Sequence, residues 1–228
     1  MSGVLIVIEA GSDASGKETQ SRLLKDRLEK EGHRVRRITF PNYEDKSSTL
    51  VKMYLAGDFG SSPSDVNPYA ASTFYAVDRF ASYKTDWKEF LDKGGIVIAD
   101  RYTTSNMVHQ ASKYESVEEK NIFLDWLYDL EFEKMGLPKP TEVIFLNMEI
   151  EVSLKLIENR DNKITGGSEK DIHEKDSDYM RKTYENSLWI ANKYKWKMIS
   201  CSENGGPKLR ELIHEDVYST IKPLIEKR

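Results

Sequence analysis

Cysteine and long apolar runs are both scarce in this sequence of 228 residues. Cys201 is the single cysteine, so no disulfide can form within the chain, and a reducing cytoplasm suits such a protein. No stretch approaches the run of about eighteen apolar residues that a membrane-spanning helix requires. The first residues carry no basic leader for export. We therefore expect a soluble, cytoplasmic protein that makes no contact with membranes.

A strong excess of positive charge is missing as well. The 34 lysines and arginines are outnumbered by 38 aspartates and glutamates, which gives a net charge of −4 at pH 7. Nucleic-acid polymers and anionic membrane surfaces attract basic proteins, so we expect neither as a partner. A local basic cluster can still bind a small anion. The 39% of hydrophobic residues suffice for the core of one α/β domain.

The stretch from Val4 to Thr19 has the order of strand, glycine loop and helix. Val4–Ile8 is short, apolar and β-branched, which is typical of a strand buried on both faces. Backbone N–H groups at the start of a helix bind phosphate, and Lys17 adds a charge that reaches the β- and γ-phosphates. The alternative is a tight turn whose lysine is only solvated. The predicted phosphate-binding residues are Gly11, Ser12, Ala14, Ser15, Gly16, Lys17, Glu18 and Thr19.

Residue 18 departs from the usual pattern of such loops. The position after the lysine ordinarily carries Ser or Thr, whose hydroxyl ligates Mg²⁺, whereas this chain has Glu18. Its carboxylate either points away from the phosphates or helps to hold the metal; alternatively, it only complements the helix dipole. Asp100, at the end of another predicted strand, is the second candidate for holding Mg²⁺, directly or through water. The other interpretation of Asp100 is an N-cap.

Five predicted strands alternate with helices, which favours a three-layer α/β/α domain with a parallel sheet. The strands are expected at Val4–Ile8, Val35–Phe40, Ile96–Ala99, Val143–Leu146 and Trp196–Ile199. The helices are expected at Thr19–Glu31, Ser48–Leu55, Pro68–Asp92, Glu118–Lys134, Ile150–Asn159, Ser177–Tyr194 and Lys208–Ile225. The polar, glycine-bearing segment of about 160–176 is the predicted mobile lid. Residues 1–228 are expected to form one domain.

The triplet Asp100-Arg101-Tyr102 follows the third predicted strand. Ligands of open parallel sheets bind beyond the carboxyl ends of the strands, so this triplet and the glycine loop are expected to face one crevice. A polyphosphate loop, a second pair of opposite charges and a charged lid together fit phosphoryl transfer. Catalysis of that reaction is mostly positioning and neutralisation of charge.

The chain resembles the thymidylate kinase family over nearly its whole length. The resemblance is carried by Glu9–Lys17, Phe40-Pro41, Asp78-Arg79, Asp100-Arg101-Tyr102, Ser105 with Gln110, Gly136–Pro140 and Asp171–Glu174. It implies the P-loop NTPase fold and transfer of the γ-phosphoryl group of ATP to dTMP, giving dTDP, with Mg²⁺ as cofactor. It also implies a homodimer, and it makes the glycine loop the ATP-binding loop.

The same resemblance assigns dTMP-binding residues. Asp13 matches an aspartate that contacts the sugar 3′-hydroxyl, and its acceptor-only carboxylate suits that donor. Arg101 matches the arginine that grips the acceptor phosphate, where a bidentate fork fits better than a lysine. The other matches are Phe40, which stacks on thymine, Tyr75 and Arg79 near the base, Ser105, His109 near the sugar 2′ position, and Gln110, which reads the base edge.

For several of these residues the sequence leaves a plainer interpretation open. Asp13 can be a turn-forming residue, Tyr75 and Arg79 a core aromatic beside a surface arginine, and His109 a surface histidine. Tyr43 departs from the family, because many relatives carry an arginine after Phe-Pro. Part of the clamp on the acceptor phosphate is therefore missing or supplied elsewhere.

Catalytic cations are expected from the lid. The glycine loop has no arginine at Ala14 or Ser15, where some relatives carry one, so Arg160 and Lys163 are the predicted transition-state cations. The alternative is that these lid charges form a solvated face. The other predicted catalytic residues are Lys17, Asp13 and Arg101.

Two other functions stay open from the sequence. A deoxynucleoside kinase or another pyrimidine nucleoside monophosphate kinase would share the glycine loop, although Arg79, Arg101 and the charged lid favour a phosphorylated acceptor. A non-enzymatic nucleotide switch would not need a second pocket lined by Phe40, Tyr75 and Gln110.

Overall fold

The computed structural model describes residues 3–161 and 177–226 of the chain. The strands of its main sheet are β1 (Val4–Ala10), β2 (Val35–Thr39), β3 (Ile96–Asp100), β4 (Glu142–Asn147) and β5 (Lys197–Ser200). They form one parallel sheet of five strands in the order β2-β3-β1-β4-β5. The predicted five-stranded parallel sheet is therefore confirmed.

The central strand explains why the sheet carries a core on each face. Every residue of β1 is buried. Side chains alternate along a strand, so Leu5 and Val7 belong to one hydrophobic core and Ile6 and Ile8 to the other. A parallel sheet covered by helices on both faces requires this continuous apolar run.

The helices lie between the strands and cover both faces. They are α1 (Lys17–Lys30), α2 (Thr49–Ala56), α3 (Pro68–Ser82), α4 (Lys88–Asp92), α5 (Thr103–His109), α6 (Val117–Tyr128), α7 (Ile150–Asp161), α8 (Ser177–Lys193) and α9 (Arg210–Glu226). One core joins β1 to Phe123 of α6 and Ile190 of α8. The other joins β1 to Leu24 of α1, Val152 of α7 and Val217 of α9. The three-layer α/β/α arrangement is thus confirmed.

Local sequence signals set several helix boundaries. Asn67 precedes Pro68, and its side-chain oxygen accepts from the Tyr69 N–H at 2.8 Å, so the predicted N-cap of α3 is present. Gly32 follows α1 with a φ of 87°, a left-handed conformation that glycine adopts without steric cost. Within the described ranges, no helix is long and apolar enough to cross a membrane.

Three features differ from the sequence prediction. Two of the expected helices, Pro68–Asp92 and Glu118–Lys134, each contain a π-helical turn, at Tyr83–Trp87 and Asp129–Lys134. Helix α5, which directly follows the Asp100-Arg101-Tyr102 triplet, was not predicted. The residues after β5, where no strand was predicted, form a hairpin of β6 (Ser202–Glu203) and β7 (Gly206–Pro207).

Candidate active site

The glycine loop lies between β1 and α1 and closes around Lys17. Gly16 has a left-handed backbone (φ 86°), and α1 begins at the next residue. The Lys17 ammonium donates to the Ser12 carbonyl oxygen at 3.2 Å and to the Ser15 hydroxyl at 3.3 Å. Burial, followed by the charge of Arg101, lowers the pKa of Lys17. A polyanion at this position would favour the charged form, so the lysine is suited to phosphate.

Two contacts from α7 and α8 support the glycine loop. A Cβ atom at Gly11 would collide with the side chain of Ser187 on α8, so only glycine fits there. Ser153 of α7 donates its hydroxyl to the Asp13 carbonyl oxygen at 2.6 Å. The helices on either side of the predicted lid in the sequence therefore hold the loop in place.

A cavity of about 730 Å³ opens in front of the glycine loop. Its wall includes the end of β3 at Asp100 and Leu156 of α7. Most of the predicted ATP-binding residues line it together, namely Ala14, Ser15, Gly16, Lys17, Glu18 and Thr19. Gly11 and Ser12 belong to the same loop but do not line the cavity. We call this space the donor cavity.

A second cavity, of about 250 Å³, lies beside the first and is called the acceptor cavity. The loop after β1, the segment after β2, and helices α3 and α5 contribute its wall. Every predicted dTMP-binding residue lines it: Asp13, Phe40, Tyr75, Arg79, Arg101, Ser105, His109 and Gln110. The structure thus brings the whole predicted set together, while the binding role of each residue stays a prediction.

The two cavities share a rim that is lined on both sides by Asp13, Phe40, Pro41, Tyr43 and Arg101. Arg101 Nη2 donates to Asp13 Oδ1 at 2.8 Å, so opposite charges meet where the cavities join. Groups bound in the two cavities would approach each other at this pair. Such proximity is what phosphoryl transfer requires of its donor and acceptor.

The backbone and charge of Arg101 are both unusual. Its φ is 67°, a left-handed conformation that costs a non-glycine residue about 1–3 kcal/mol and clusters at functional sites. Burial disfavours the charged guanidinium, but the carboxylates of Asp13 and Glu9 outweigh this effect and raise the pKa of Arg101. Arg101 Nη1 also lies 3.3 Å from His109 Nε2. Arg101 is therefore a permanent cation at the rim.

Arg79 is paired with a residue that the sequence did not single out. Its Nε and Nη2 atoms donate to the two carboxylate oxygens of Glu131 at 2.8 and 2.6 Å, and both side chains are buried. Thr103, at the start of α5, donates to the same carboxylate at 2.7 Å. A surface arginine is thus the wrong interpretation of Arg79. Glu131 lies in a π-helical turn, and no local signal distinguishes it from its exposed acidic neighbours.

Glu9 is a second buried carboxylate at the site. It is fully buried at the end of β1 and accepts hydrogen bonds from the hydroxyls of Thr104 (2.7 Å) and Ser105 (2.6 Å). These bonds fasten α5 to the central strand. The available signal was a single acidic residue in an otherwise apolar strand, for which the resemblance assigned no role.

The segment after β2 is fixed from α3. Asp78 is fully buried and accepts from the Asn42 N–H at 2.8 Å and from the Ser47 hydroxyl at 2.6 Å. These bonds hold the segment that carries Phe40 and Tyr43 against the acceptor cavity. Asp78 therefore positions the segment after β2, while its neighbour Arg79 lines the acceptor cavity itself.

Gln110 carries a buried side-chain acceptor without a partner in the part of the chain that the structure describes. Its side chain is 1% exposed, and Oε1 has no hydrogen-bond partner among the described residues. A buried polar atom without a partner is costly, so the arrangement is suited to a ligand that supplies a donor. Gln110 lines the acceptor cavity, where an N–H group of a base would be that donor.

The donor cavity offers hard oxygen ligands for a divalent cation. Glu18 is exposed in the first turn of α1, and Asp100 lines the same wall. Asp100 Oδ2 also accepts from Arg37 Nη2 at 2.9 Å, a contact that the sequence did not predict. No cluster of three or more metal-ligating side chains occurs among the described residues. One or two carboxylates together with substrate phosphates suffice for Mg²⁺, so these residues fit the cofactor.

The predicted lid and its cations fall largely outside the described residues. Residues 162–176, with Lys163, are not described, and the Arg160 side chain is not described either. The prediction that these cations act in the transition state is therefore left untested by the structure.

The parallel sheet, the glycine loop at the start of its first helix and the adjoining acceptor cavity define a nucleotide-binding protein of the P-loop kinase class. Comparison with known proteins then gives the family. The family model for thymidylate kinase matches residues 8–212, so this chain belongs to the thymidylate kinase family.

Named relatives agree with this assignment. The chain is 32% identical to human thymidylate kinase over 148 residues, a match that covers 65% of this chain and 62% of the human protein. It is 30% identical to thymidylate kinase of Mycobacterium tuberculosis over 183 residues, or 79% of this chain and 82% of the relative. A solved thymidylate kinase from Candida albicans shares the fold with a TM-score of 0.72 at 22% identity, over 100% of this chain and 94% of that one.

Proposed function

We propose that this chain is a thymidylate kinase, which transfers the γ-phosphoryl group of ATP to dTMP and yields dTDP and ADP. Membership of the family supports this activity. The observation that carries the proposal is the junction of the donor and acceptor cavities at Asp13 and Arg101. A nucleotide switch or a simple ATPase would have no use for the second cavity.

On the donor side, we assign the ATP phosphates to the glycine loop. The first N–H groups of α1 point out of the helix end and supply positive potential to an anion. Lys17 adds a point charge that the surrounding hydrogen bonds already orient. Its lowered pKa reflects burial, which the phosphate charges would offset.

On the acceptor side, each group of dTMP has a complementary partner. Arg101 would exchange part of its pairing with Asp13 for the acceptor phosphate, since both side chains are partly exposed. Asp13 is then left to accept from the sugar 3′-hydroxyl. Phe40 and Tyr75 provide apolar faces for the base. Gln110 Oε1, which has no partner among residues 3–161 and 177–226, is suited to the thymine N3–H.

We assign Mg²⁺ to the carboxylates of Glu18 and Asp100 together with the ATP phosphates. When bound, the ion neutralises phosphate charge. Glu18 takes the place of the usual hydroxyl ligand, and its exposed carboxylate is free to turn toward the donor cavity. Asp100 has one oxygen committed to Arg37, so it contributes through its other oxygen or through water.

The lid is proposed to supply the transition-state cations, Arg160 and Lys163. Changing Arg160 to Ala should lower turnover by roughly 10²-fold or more and leave dTMP affinity nearly unchanged, because such a cation acts only on the developing charge. Turnover and dTMP titration of the same preparation measure both quantities. Unchanged turnover would remove Arg160 from the mechanism.

We also propose that one domain per chain assembles into a homodimer through α3 and α6. Tyr69 of α3 and Trp126 of α6 are in edge-on contact, and their ring centroids are 4.6 Å apart. Val77 on α3 and Ile122 on α6 are exposed apolar residues on the same pair of helices.

A cytoplasmic location fits the free thiol of Cys201, whose pKa is raised to about 12 by burial.

The direct test is ADP formation from ATP and Mg²⁺ with dTMP, dUMP, UMP, dCMP or thymidine as separate acceptors. We expect rapid turnover with dTMP, slower turnover with dUMP and negligible turnover with the others. Turnover with thymidine would contradict the assignment of Arg101 to an acceptor phosphate. The absence of turnover with every acceptor would overturn the proposed function.

A further inference from the structure

Arg37 lies beside the donor cavity in a position that neither the motifs nor the resemblance assigns. It is on β2, and its Nη2 donates to Asp100 Oδ2 at 2.9 Å. Its Nε donates to the Ser21 hydroxyl of α1 at 2.7 Å. The guanidinium therefore joins the helix that carries the glycine loop to the end of β3.

The sheet register explains why Arg37, and not its neighbour, reaches Asp100. Arg37 is opposite Ile98 and Thr39 is opposite Asp100, so Arg37 and Asp100 are diagonal neighbours on one face of the sheet. Side chains alternate along a strand, so Arg36 lies on the other face. There it pairs with Asp86 at 2.7 Å and lies over the Phe90 ring at 4.9 Å.

The ion pair with Arg37 weakens Asp100 as a ligand for a divalent cation. The Asp100 side chain is 9% exposed, and one of its oxygens accepts from a guanidinium. Lys17 and Arg101 add positive charge nearby, because both interact electrostatically with Asp100. A divalent cation that approaches Asp100 must therefore compete with a fixed cation of the protein.

We propose that Arg37 sets the affinity of the enzyme for its divalent cation by holding Asp100 in this ion pair. The inference rests on the proposed function only in taking the cation to be the one that accompanies the nucleotide. Arg37 acts through Asp100 and is a positioning residue. Removal of its charge makes Asp100 a stronger ligand, and removal of Arg36 does not.

The test is a titration of Mn²⁺ against the enzyme with saturating ADP, in which free Mn²⁺ is measured by electron paramagnetic resonance. We expect Arg37→Leu to lower the Mn²⁺ dissociation constant by about tenfold, the scale of one nearby unit charge. Arg36→Leu is the matched control and should leave it unchanged. In Arg37→Leu with Asp100→Asn, the gain should disappear.

Two further variants separate charge from fold. Arg37→Gln keeps a donor for Ser21 without the charge and should also tighten Mn²⁺ binding, whereas Arg37→Lys should resemble the wild type. Equal affinity in wild type, Arg37→Leu and Arg37→Gln would overturn the proposal, as would equal tightening in Arg36→Leu. The titration needs no dTMP, so a failure of the proposed acceptor would not alter its outcome.

Discussion

The two arginines of the acceptor cavity are each paired with a carboxylate, but in different surroundings. Arg79 and Glu131 are buried almost completely, with 1% and 0% of their side chains exposed. Arg101 and Asp13 are 24% and 36% exposed. Water and substrate can therefore compete for Arg101 but not for Arg79. We infer that Arg101 is the charge that responds to the acceptor phosphate, while Arg79 is a fixed part of the wall.

This difference predicts unequal costs when the carboxylates are removed. Glu131→Ala leaves a buried guanidinium without its partner and should lower the free energy of unfolding by about 3–5 kcal/mol. Asp13→Ala opens a partly exposed pair and should cost about 1 kcal/mol or less. Urea denaturation of both variants measures the two values. Equal costs would contradict the inferred division between a fixed and a responsive arginine.

The burial of Lys113 predicts that the stability of the fold depends on pH. Its ammonium is largely buried and donates to the Tyr54 hydroxyl and the Val66 carbonyl oxygen, both at 3.2 Å. Burial lowers the pKa of Lys113 to about 8. Between pH 8 and the normal pKa of lysine, the unfolded chain binds more protons than the folded one, so stability should rise with pH in this range.

The measurement is urea denaturation of the wild type and Lys113→Met at pH 7 and pH 9.5. Relative to the variant, the wild type should gain about 2 kcal/mol of unfolding free energy over this interval. The variant controls for other titrating groups. A parallel pH response of both proteins would show that the Lys113 ammonium is not buried as described.

At the scale of elements, the sequence predicted those strands and helix ends that depend on residues close together in the chain. The apolar run of β1, the cap at Asn67 and the glycine after α1 act within a few residues, and the structure contains all three. Helix α5 has no such pattern, because its buried residues include Thr103, Thr104 and Asn106. Hydrogen bonds to Glu131 and Glu9 stabilise Thr103 and Thr104, Asn106 donates to the Ser72 carbonyl oxygen, and all three partners are far away in sequence.

The glycine loop allows a matched comparison of two glycines. Gly16 and Gly32 flank α1 with φ values of 86° and 87°, and a Cβ atom would meet no neighbour at either position. Alanine should therefore cost about 1 kcal/mol of stability at both sites, from the left-handed backbone alone. ATP affinity should fall at least about tenfold in Gly16→Ala only, since the phosphates approach that backbone.

Thermal unfolding and calorimetric titration with ATP test the two variants side by side. Loss of ATP binding in Gly32→Ala would indicate a general effect of helix distortion. Normal ATP affinity in Gly16→Ala would contradict the placement of the phosphates on the loop.

For the whole molecule, topology assembles the acceptor cavity. Parallel strands end at one edge of the sheet, so Asp13, Phe40 and Arg101 converge although they follow three different strands. Their positions after strands made them predictable from sequence, and the family resemblance supplied their roles. Glu131 and Arg37 were not predictable, because their importance comes from partners that only the packed fold brings near.

The proposed homodimer through α3 and α6 can be tested at its interface. Changing Ile122 to Glu places a charge on the proposed interface and should convert a dimer into a monomer of 26.3 kDa. Leu209→Glu, at an exposed apolar residue before α9, is the control and should remain dimeric. Sedimentation velocity measures the mass of each. A monomeric wild type, or a dimeric Ile122→Glu, would contradict the interface.

The most direct test of the central claim follows the phosphoryl group itself. ATP labelled in its γ-phosphate is mixed with excess enzyme, Mg²⁺ and dTMP, the reaction is quenched with acid, and the labelled products are separated. The two adjoining cavities predict that the label appears in dTDP, with little inorganic phosphate. Label released mainly as inorganic phosphate, at the same rate with and without dTMP, would contradict the account.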